Sequence, residues 1–168
     1  YEWLLTYLYG ASIEVKPEYF EDNQVPADIP AGFIRSLRSS KYGYVNNDDV
    51  QVSFETLEEY AETIEKMVTD GKLIEEKEFY STVRFRGGKN AREVLENGLS
   101  YLEFRLFDLN PFAPYGMLAE DMHFTHYFLM YLLWMDEEAG SDGWAKGKEM
   151  SYATAFENPT STSAYREE

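Results

Sequence analysis

The stretch YLEFRLFDLNPFAPYG, residues 101–116, decides how this chain is read. Its first seven residues alternate. Leu102, Phe104 and Leu106 form an apolar side, while Tyr101, Glu103, Arg105 and Phe107 form the other, the period-two pattern of a half-buried strand. Glu103 and Arg105 therefore stand side by side on one face of a sheet. Asp108, Asn110, Pro111 and Pro114 then break the strand, since proline fixes φ and removes a backbone donor.

A second strand is predicted upstream in EKEFYSTVRFRG, 76–87, where Phe79, Ser81, Val83 and Phe85 alternate with Tyr80, Thr82, Arg84 and Arg86. GGKN, 87–90, is a turn, and NAREVLENG, 90–98, is a short helix closed by Gly98. Further upstream a helix is predicted over about 57–70. Thr56 and Glu59 fit a capping box, Leu57, Tyr60, Ala61, Ile64, Met67 and Val68 form the apolar stripe, and Gly71 stands where the helix stops. Residues 1–9 read as a helix or a strand ended by Gly10, and Pro17, Pro26 and Pro30 mark 11–34 as loop. A long helix is expected at about 119–138, and its apolar run YFLMYLLWM (127–135) reads as buried. DEEAGSD (136–142) reads as a solvated helix end and loop, and 143–159 as a last helix. Two strands without a βαβ glycine signature, among several helices, give an α+β class with an antiparallel sheet and flanking helices.

The chain has 168 residues, 44% of them hydrophobic and 17% aromatic, which is enough for a packed core and argues against disorder. Its net charge of −16 speaks against a nucleic-acid partner, because a phosphate backbone needs clustered cations. With no cysteine and two histidines, disulfides and thiolate sites are excluded. A bound metal would have to be held by carboxylates, which favours a hard cation such as Mg²⁺. No apolar run is long enough to span a bilayer, and the expected location is cytoplasmic. The chain opens at Tyr1 inside the run YEWLLTYLYG without an initiating methionine, so 1–168 reads as a single partial domain of a longer polypeptide.

The two strands offer Tyr80, Thr82 and Arg84, and Tyr101, Glu103 and Arg105. Arginine forks recognise phosphate and carboxylate oxygens, and glutamate can hold Mg²⁺. The bland alternative is a solvated sheet face with Glu–Arg pairs. FIRSLRSSKYGY adds Arg35, Arg38, Lys41, Tyr42 and Tyr44, which could equally be a polar surface loop. His123 and His126, three apart on the long helix, could ligate metal, but they read first as packing or surface residues. GGKN lacks the spacing of a phosphate loop, and no G-x-S-x-G elbow occurs.

The 101–116 stretch resembles the strand-and-turn motif of the glutamate–cysteine ligases, roughly Y-[IL]-E-x-R-x-x-D-x-N-P-F-x-P-x-G. TYLYGAS (6–12), SLRSSKYGY (36–44) and EFYSTVRFR (78–86) match further family segments in the same order. FYSTVRFRGGKN is similar to the ligase module of bifunctional bacterial members that also carry a glutathione synthetase domain. Ile13 stands where the family often has proline. The family's upstream acidic residues, which supply most of its metal and nucleotide site, have no counterpart here.

The resemblance implies a fold akin to that of glutamine synthetase and an ATP-dependent joining of L-cysteine to the γ-carboxylate of L-glutamate through an acyl phosphate. That is the first step of glutathione biosynthesis, with ATP and Mg²⁺ required. It implies that Glu103 is a Mg²⁺ ligand and that Arg105 holds the transferring phosphoryl oxygens. Arg38 would meet a substrate carboxylate, Tyr44 and Tyr80 the carboxylate of the incoming cysteine, and Arg84 a phosphate. Asp108 through Pro114 would be a rigid turn. The chain by itself is then expected to be inactive, and its aromatic surface to favour a homodimer. The rival reading is a non-catalytic acidic module that binds a partner or a small carboxylate.

Overall fold

The computed structural model describes residues 1–136, 142–161 and 164–165. The fold is α+β, and the chain divides into two compact units, Tyr1–Leu37 with Phe107–Glu168, and Arg38–Leu106.

The second unit grows from helix α2, Leu57–Thr69. Thr56 caps it, its hydroxyl accepting from the Glu59 N–H at 3.0 Å, while the Glu59 carboxylate takes the Ser53 hydroxyl at 2.7 Å. The predicted stripe is the buried one. Tyr60, Ala61 and Ile64 form a core with Val52, Leu73, Phe79 and Ala91, against which Leu57, Met67 and Val68 pack.

Strands β3 (Val83–Arg86) and β4 (Tyr101–Phe104) form an antiparallel ladder of four rungs, pairing Val83 with Phe104, Arg84 with Glu103, Phe85 with Leu102 and Arg86 with Tyr101. The Arg105 N–H carries the pairing one step further by donating to the Thr82 carbonyl at 2.8 Å. Phe85 packs edge-on against Tyr60, with centroids 4.8 Å apart, which presents the Arg84, Arg86 and Glu103 side away from the core. Helix α3, Ala91–Asn97, connects the strands and is capped by Asn90. Arg92 ties it to α2 through Nε and Nη2 on the Glu65 carboxylate at 2.9 and 2.5 Å. Around the turn the backbones nearly touch: a side-chain carbon on Gly87 would stand 2.4 Å from the Gly98 carbonyl oxygen.

The strand predicted over 76–87 is shorter than expected. Glu76–Glu78 is a 3₁₀ turn, and Phe79 leaves the alternation to enter the core. The backbone of Tyr80 pairs with a side chain instead of a strand.

In the first unit α1, Glu2–Tyr9, packs on α5, Asp142–Phe156, with Leu5, Thr6, Thr154 and Ala155 buried. The expected loop 11–34 contains a two-rung ladder in which β1 (Ile13–Glu14) meets β2 (Phe33–Ile34), with Ile13 opposite Ile34. Arg35 is buried and fully engaged. Its guanidinium pairs with Glu157 at 3.1 Å, donates to the Pro159 and Ser161 carbonyls, and lies 4.3 Å from the centre of the Tyr7 ring. The proline-rich turn after β4 is held by its own bonds, Asn110 N–H to the Gly116 carbonyl and Phe112 N–H to the Asn110 side chain. The Asp108 carboxylate accepts from the Ala11 N–H at 2.9 Å.

Helix α4, Ala119–Trp134, overturns the expectation of a buried helix. Its apolar residues run all the way round, and Thr125 is its only buried residue. Tyr127, Met130, Tyr131, Leu133 and Trp134 are exposed, Leu133 by 89%. The helix ends at Trp134 rather than 138, and most of the acidic stretch, 137–141, lies outside the described residues. Among the described residues no helix is long and apolar enough to cross a membrane.

Candidate functional site

The predicted site residues Arg38, Tyr44, Tyr80, Arg84, Glu103 and Arg105 all fall in the unit Arg38–Leu106. At their centre the Glu103 carboxylate is held from two sides. Arg86 Nε and Nη2 approach Oε2 at 2.6 and 2.5 Å, and Arg105 Nε donates to Oε1 at 2.9 Å. Arg105 arrives by the period of two along β4. Arg86 arrives diagonally from β3, two rungs removed from Glu103's own cross-strand partner Arg84. Arg84 turns aside, its Nη2 donating to the Glu76 carbonyl at 3.3 Å.

The electrostatics follow from this packing. Hydrogen bonds from Arg86 and then Arg105 hold the Glu103 carboxyl below its ordinary range. Burial, followed by repulsion from Arg105 and Arg86, lowers the pKa of the Arg84 guanidinium, which stays charged at neutral pH. Arg84, Arg86 and Arg105 outnumber Glu103, so this face carries excess positive charge in a chain of net charge −16. Such a surface suits a multiply charged anion.

The aromatic part lies on a loop and on the approach to β3. Tyr44 and Tyr80 stack with centroids 5.5 Å apart and planes at 26°. The Arg38 guanidinium carbon lies 4.8 Å from the Tyr44 ring centre. Arg38 Nε and Nη2 both donate to the main-chain carbonyl of Arg105, at 2.8 and 2.5 Å.

Two residues with structural weight in the site were not singled out by sequence reasoning. Arg86 shares the face of Tyr80 and Arg84 in the alternation, so the period carried its signal. Asn46, which holds the backbone of Tyr80, leaves no periodic trace. His123 and His126 are exposed, and no group of three His, Cys, Asp or Glu among the described residues is placed to hold a metal ion. Mg²⁺ takes one or two protein carboxylates and completes its shell with phosphate oxygens and water. Arg86 takes both lone-pair sites of Glu103 Oε2 and Arg105 one of the two on Oε1, which leaves one site on Oε1 for a cation. Glu103 thus fits as one ligand of such an ion, and not as a complete site.

A ladder bearing one glutamate among arginines, with a stacked tyrosine pair on the same unit, has clear relatives. The sequence matches the glutamate–cysteine ligase family profile over residues 1–72 and 69–150, and the chain belongs to that family. It is 50% identical over 168 residues to the glutathione biosynthesis bifunctional protein GshAB of Mannheimia succiniciproducens, covering all of this chain and 22% of that protein. The crystal structure of a bifunctional glutathione synthetase from Pasteurella multocida superposes with a TM-score of 0.84 at 45% identity, over 98% of this chain and 21% of that one. A glutamate–cysteine ligase from Francisella tularensis, solved in complex with AMP, shares the fold at 23% identity, with a TM-score of 0.78 over 94% of this chain and 39% of that one. The chain spans about a fifth of the length of the curated relatives it matches.

Proposed function

We propose that these residues are part of the catalytic domain of an ATP-dependent ligase that joins L-cysteine to the γ-carboxylate of L-glutamate. The observation that carries this reading is the Arg86–Glu103–Arg105 cluster, in a chain of this family. In the proposed reaction a γ-carboxylate oxygen of glutamate attacks the terminal phosphorus of ATP, and the bond to the departing ADP oxygen breaks. The cysteine amine then attacks the acyl carbon, loses a proton and expels inorganic phosphate. Phosphoryl transfer of this kind is mostly positioning and charge neutralisation.

Arg105 and Arg84 hold the oxygens of the moving phosphoryl group. The Glu103 ion pairs fix the Arg105 guanidinium before substrate arrives, so little reorganisation is needed when charge develops. Glu103 also contributes one oxygen ligand to Mg²⁺, which when bound neutralises charge on the ATP phosphates. Arg38 steers a substrate carboxylate, and Tyr44 with Tyr80 receives the carboxylate of the incoming cysteine. The chain spans about a fifth of the length of its curated relatives, so residues 1–168 by themselves are expected to release no ADP.

The test is ADP release by the full-length protein with Mg²⁺, ATP, glutamate and cysteine, run beside residues 1–168. Turnover that needs both amino acids supports the ligase reading. A folded full-length protein that releases no ADP with all four present would overturn it and leave a binding module.

A further inference from the structure

The segment between Arg38 and helix α2 holds no regular element, yet one of its side chains is bound like a strand. Asn46 Nδ2 donates to the Tyr80 carbonyl at 2.7 Å, and Asn46 Oδ1 accepts from the Tyr80 N–H at 2.8 Å. A single amide side chain thus satisfies both backbone groups of a residue 34 positions along the chain, making one rung of a ladder without a second strand.

Tyr44, two residues before Asn46, stacks on the ring of that same Tyr80. Tyr44 is 62% exposed, so burial does little to hold it. Its other supports are the nearby Arg38 guanidinium and a long bond from its own N–H to the Arg38 carbonyl, at 3.4 Å. The Asn46 amide is therefore the short, two-point fastening that keeps the two rings in register. Asparagine is suited to it because its side chain carries a donor and an acceptor on one planar group. Aspartate would offer acceptors only, and would set a negative oxygen against the Tyr80 carbonyl.

We propose that Asn46 is a positioning residue for the acceptor amino acid: by clasping the backbone of Tyr80 it sets the Tyr44–Tyr80 pair that receives the acceptor's carboxylate. The proposal rests on the ligase reading of that pair. It assigns Asn46 to recognition of the acceptor alone, leaving the Glu103–Arg105 end of the unit to ATP and the phosphoryl group.

The experiment measures kcat and the separate KM values for cysteine, glutamate and ATP in full-length wild type, Asn46→Asp and Asn46→Gln, and repeats the first substitution in a Tyr44→Ala background. The KM for cysteine should rise about tenfold in Asn46→Asp, the scale expected when a hydrogen-bonding partner is lost. The values for ATP and glutamate should stay within a factor of about two, since uniform losses report general damage. Asn46→Gln keeps both donor and acceptor one methylene farther out, so its cysteine KM should lie between those of wild type and Asn46→Asp. With Tyr44 already alanine, Asn46→Asp should add little, because Asn46 acts through the ring pair. Equal rises in all three KM values, an unchanged cysteine KM in both Asn46 variants, or fully additive losses in the double variant would each overturn the proposal. A wild-type protein without cysteine-dependent turnover would overturn the ligase reading itself, and the acceptor role with it, which separates the two failures.

Discussion

Arg38 places two guanidinium donors on the main-chain oxygen of Arg105, 67 residues away, at 2.8 and 2.5 Å. The side chain of one arginine therefore fastens the backbone from which the other projects. Arg105 in turn spends its Nε on Glu103, so two cations and one carboxylate form a relay of contacts that leads from the Tyr44 ring to β4.

Arg38→Lys breaks this relay although it keeps the charge. Lysine has no planar fork and stacks poorly on a ring, so both donors on the Arg105 carbonyl cannot be reproduced. Stability should fall by about 1.5–3 kcal/mol, the usual worth of hydrogen bonds from a charged group. Thermal melting of the full-length protein checks the first effect. A double-mutant cycle with Arg105→Ala checks the coupling, which independent sites would not show.

Arg105→Ala should depress the chemical step far more than substrate binding. Removing one preorganised charge contact costs about 2.7–4 kcal/mol of barrier, or roughly 10²–10³ in kcat. Single-turnover ADP formation reads the step directly, and an unchanged rate would remove Arg105 from the chemistry.

The ionisation of Glu103 gives a prediction with a defined sign. Its folded-state pKa lies below the ordinary value of 4.5 because Arg86 and Arg105 hydrogen-bond the charged form. A group with a depressed folded pKa stabilises the fold above its unfolded value, and that contribution is lost as pH falls through the folded one. The arginine cluster should therefore stay intact from neutral pH down to the ordinary carboxylate range and come apart only in more acidic solution. Carboxyl-carbon NMR of Glu103 should show a midpoint below 4.5, and Arg86→Ala should move it upward.

The core under the ladder sets a separate scale. Ile64 on α2 is almost wholly buried against the residues that also hold Phe79 and, through Tyr60, Phe85. Ile64→Ala should cost about 2–5 kcal/mol, and Thr56→Ala, which removes the cap of the same helix, about 1 kcal/mol. Denaturant unfolding distinguishes them, with the larger loss expected at Ile64.

Helix α2 was legible because everything that specifies it is local: the cap at Thr56, the stripe from Leu57 to Val68 and the stop at Gly71. The pairing of Glu103 with Arg105 was legible for the same reason, being a period of two along β4 and the residue that extends it. The shortened β3 was not, because Tyr80 finds its backbone partner in the side chain of Asn46 and no periodicity records such a pair. The β1–β2 ladder escaped notice because two rungs between Ile13 and Ile34 are too short to alternate. Helix α4 was misread because an apolar run reports composition, whereas burial depends on what packs against it. Arg86 lay on the right face, but its meeting with Glu103 depends on a cross-strand register that only the folded chain supplies.

The near-contact of Gly87 with the Gly98 carbonyl gives the β3–β4 connection the character of a fixed gauge. A side-chain carbon on Gly87 would collide with that oxygen at 2.4 Å, and one on the neighbouring Gly88 would meet the Glu93 Cβ at 2.5 Å. Backbone thus rests against backbone and helix at the turn, with no slack for a bulkier residue to take up. Arg86 is the last residue before the tight point, and Tyr101, its partner across the ladder, follows Gly98 by three positions. The interval between the Arg86 guanidinium and the Glu103 carboxylate is therefore calibrated by contact in the turn. A bulkier residue at Gly87 or Gly88 must shift the turn to fit, and Arg86, the partner of Glu103, stands next to that shift.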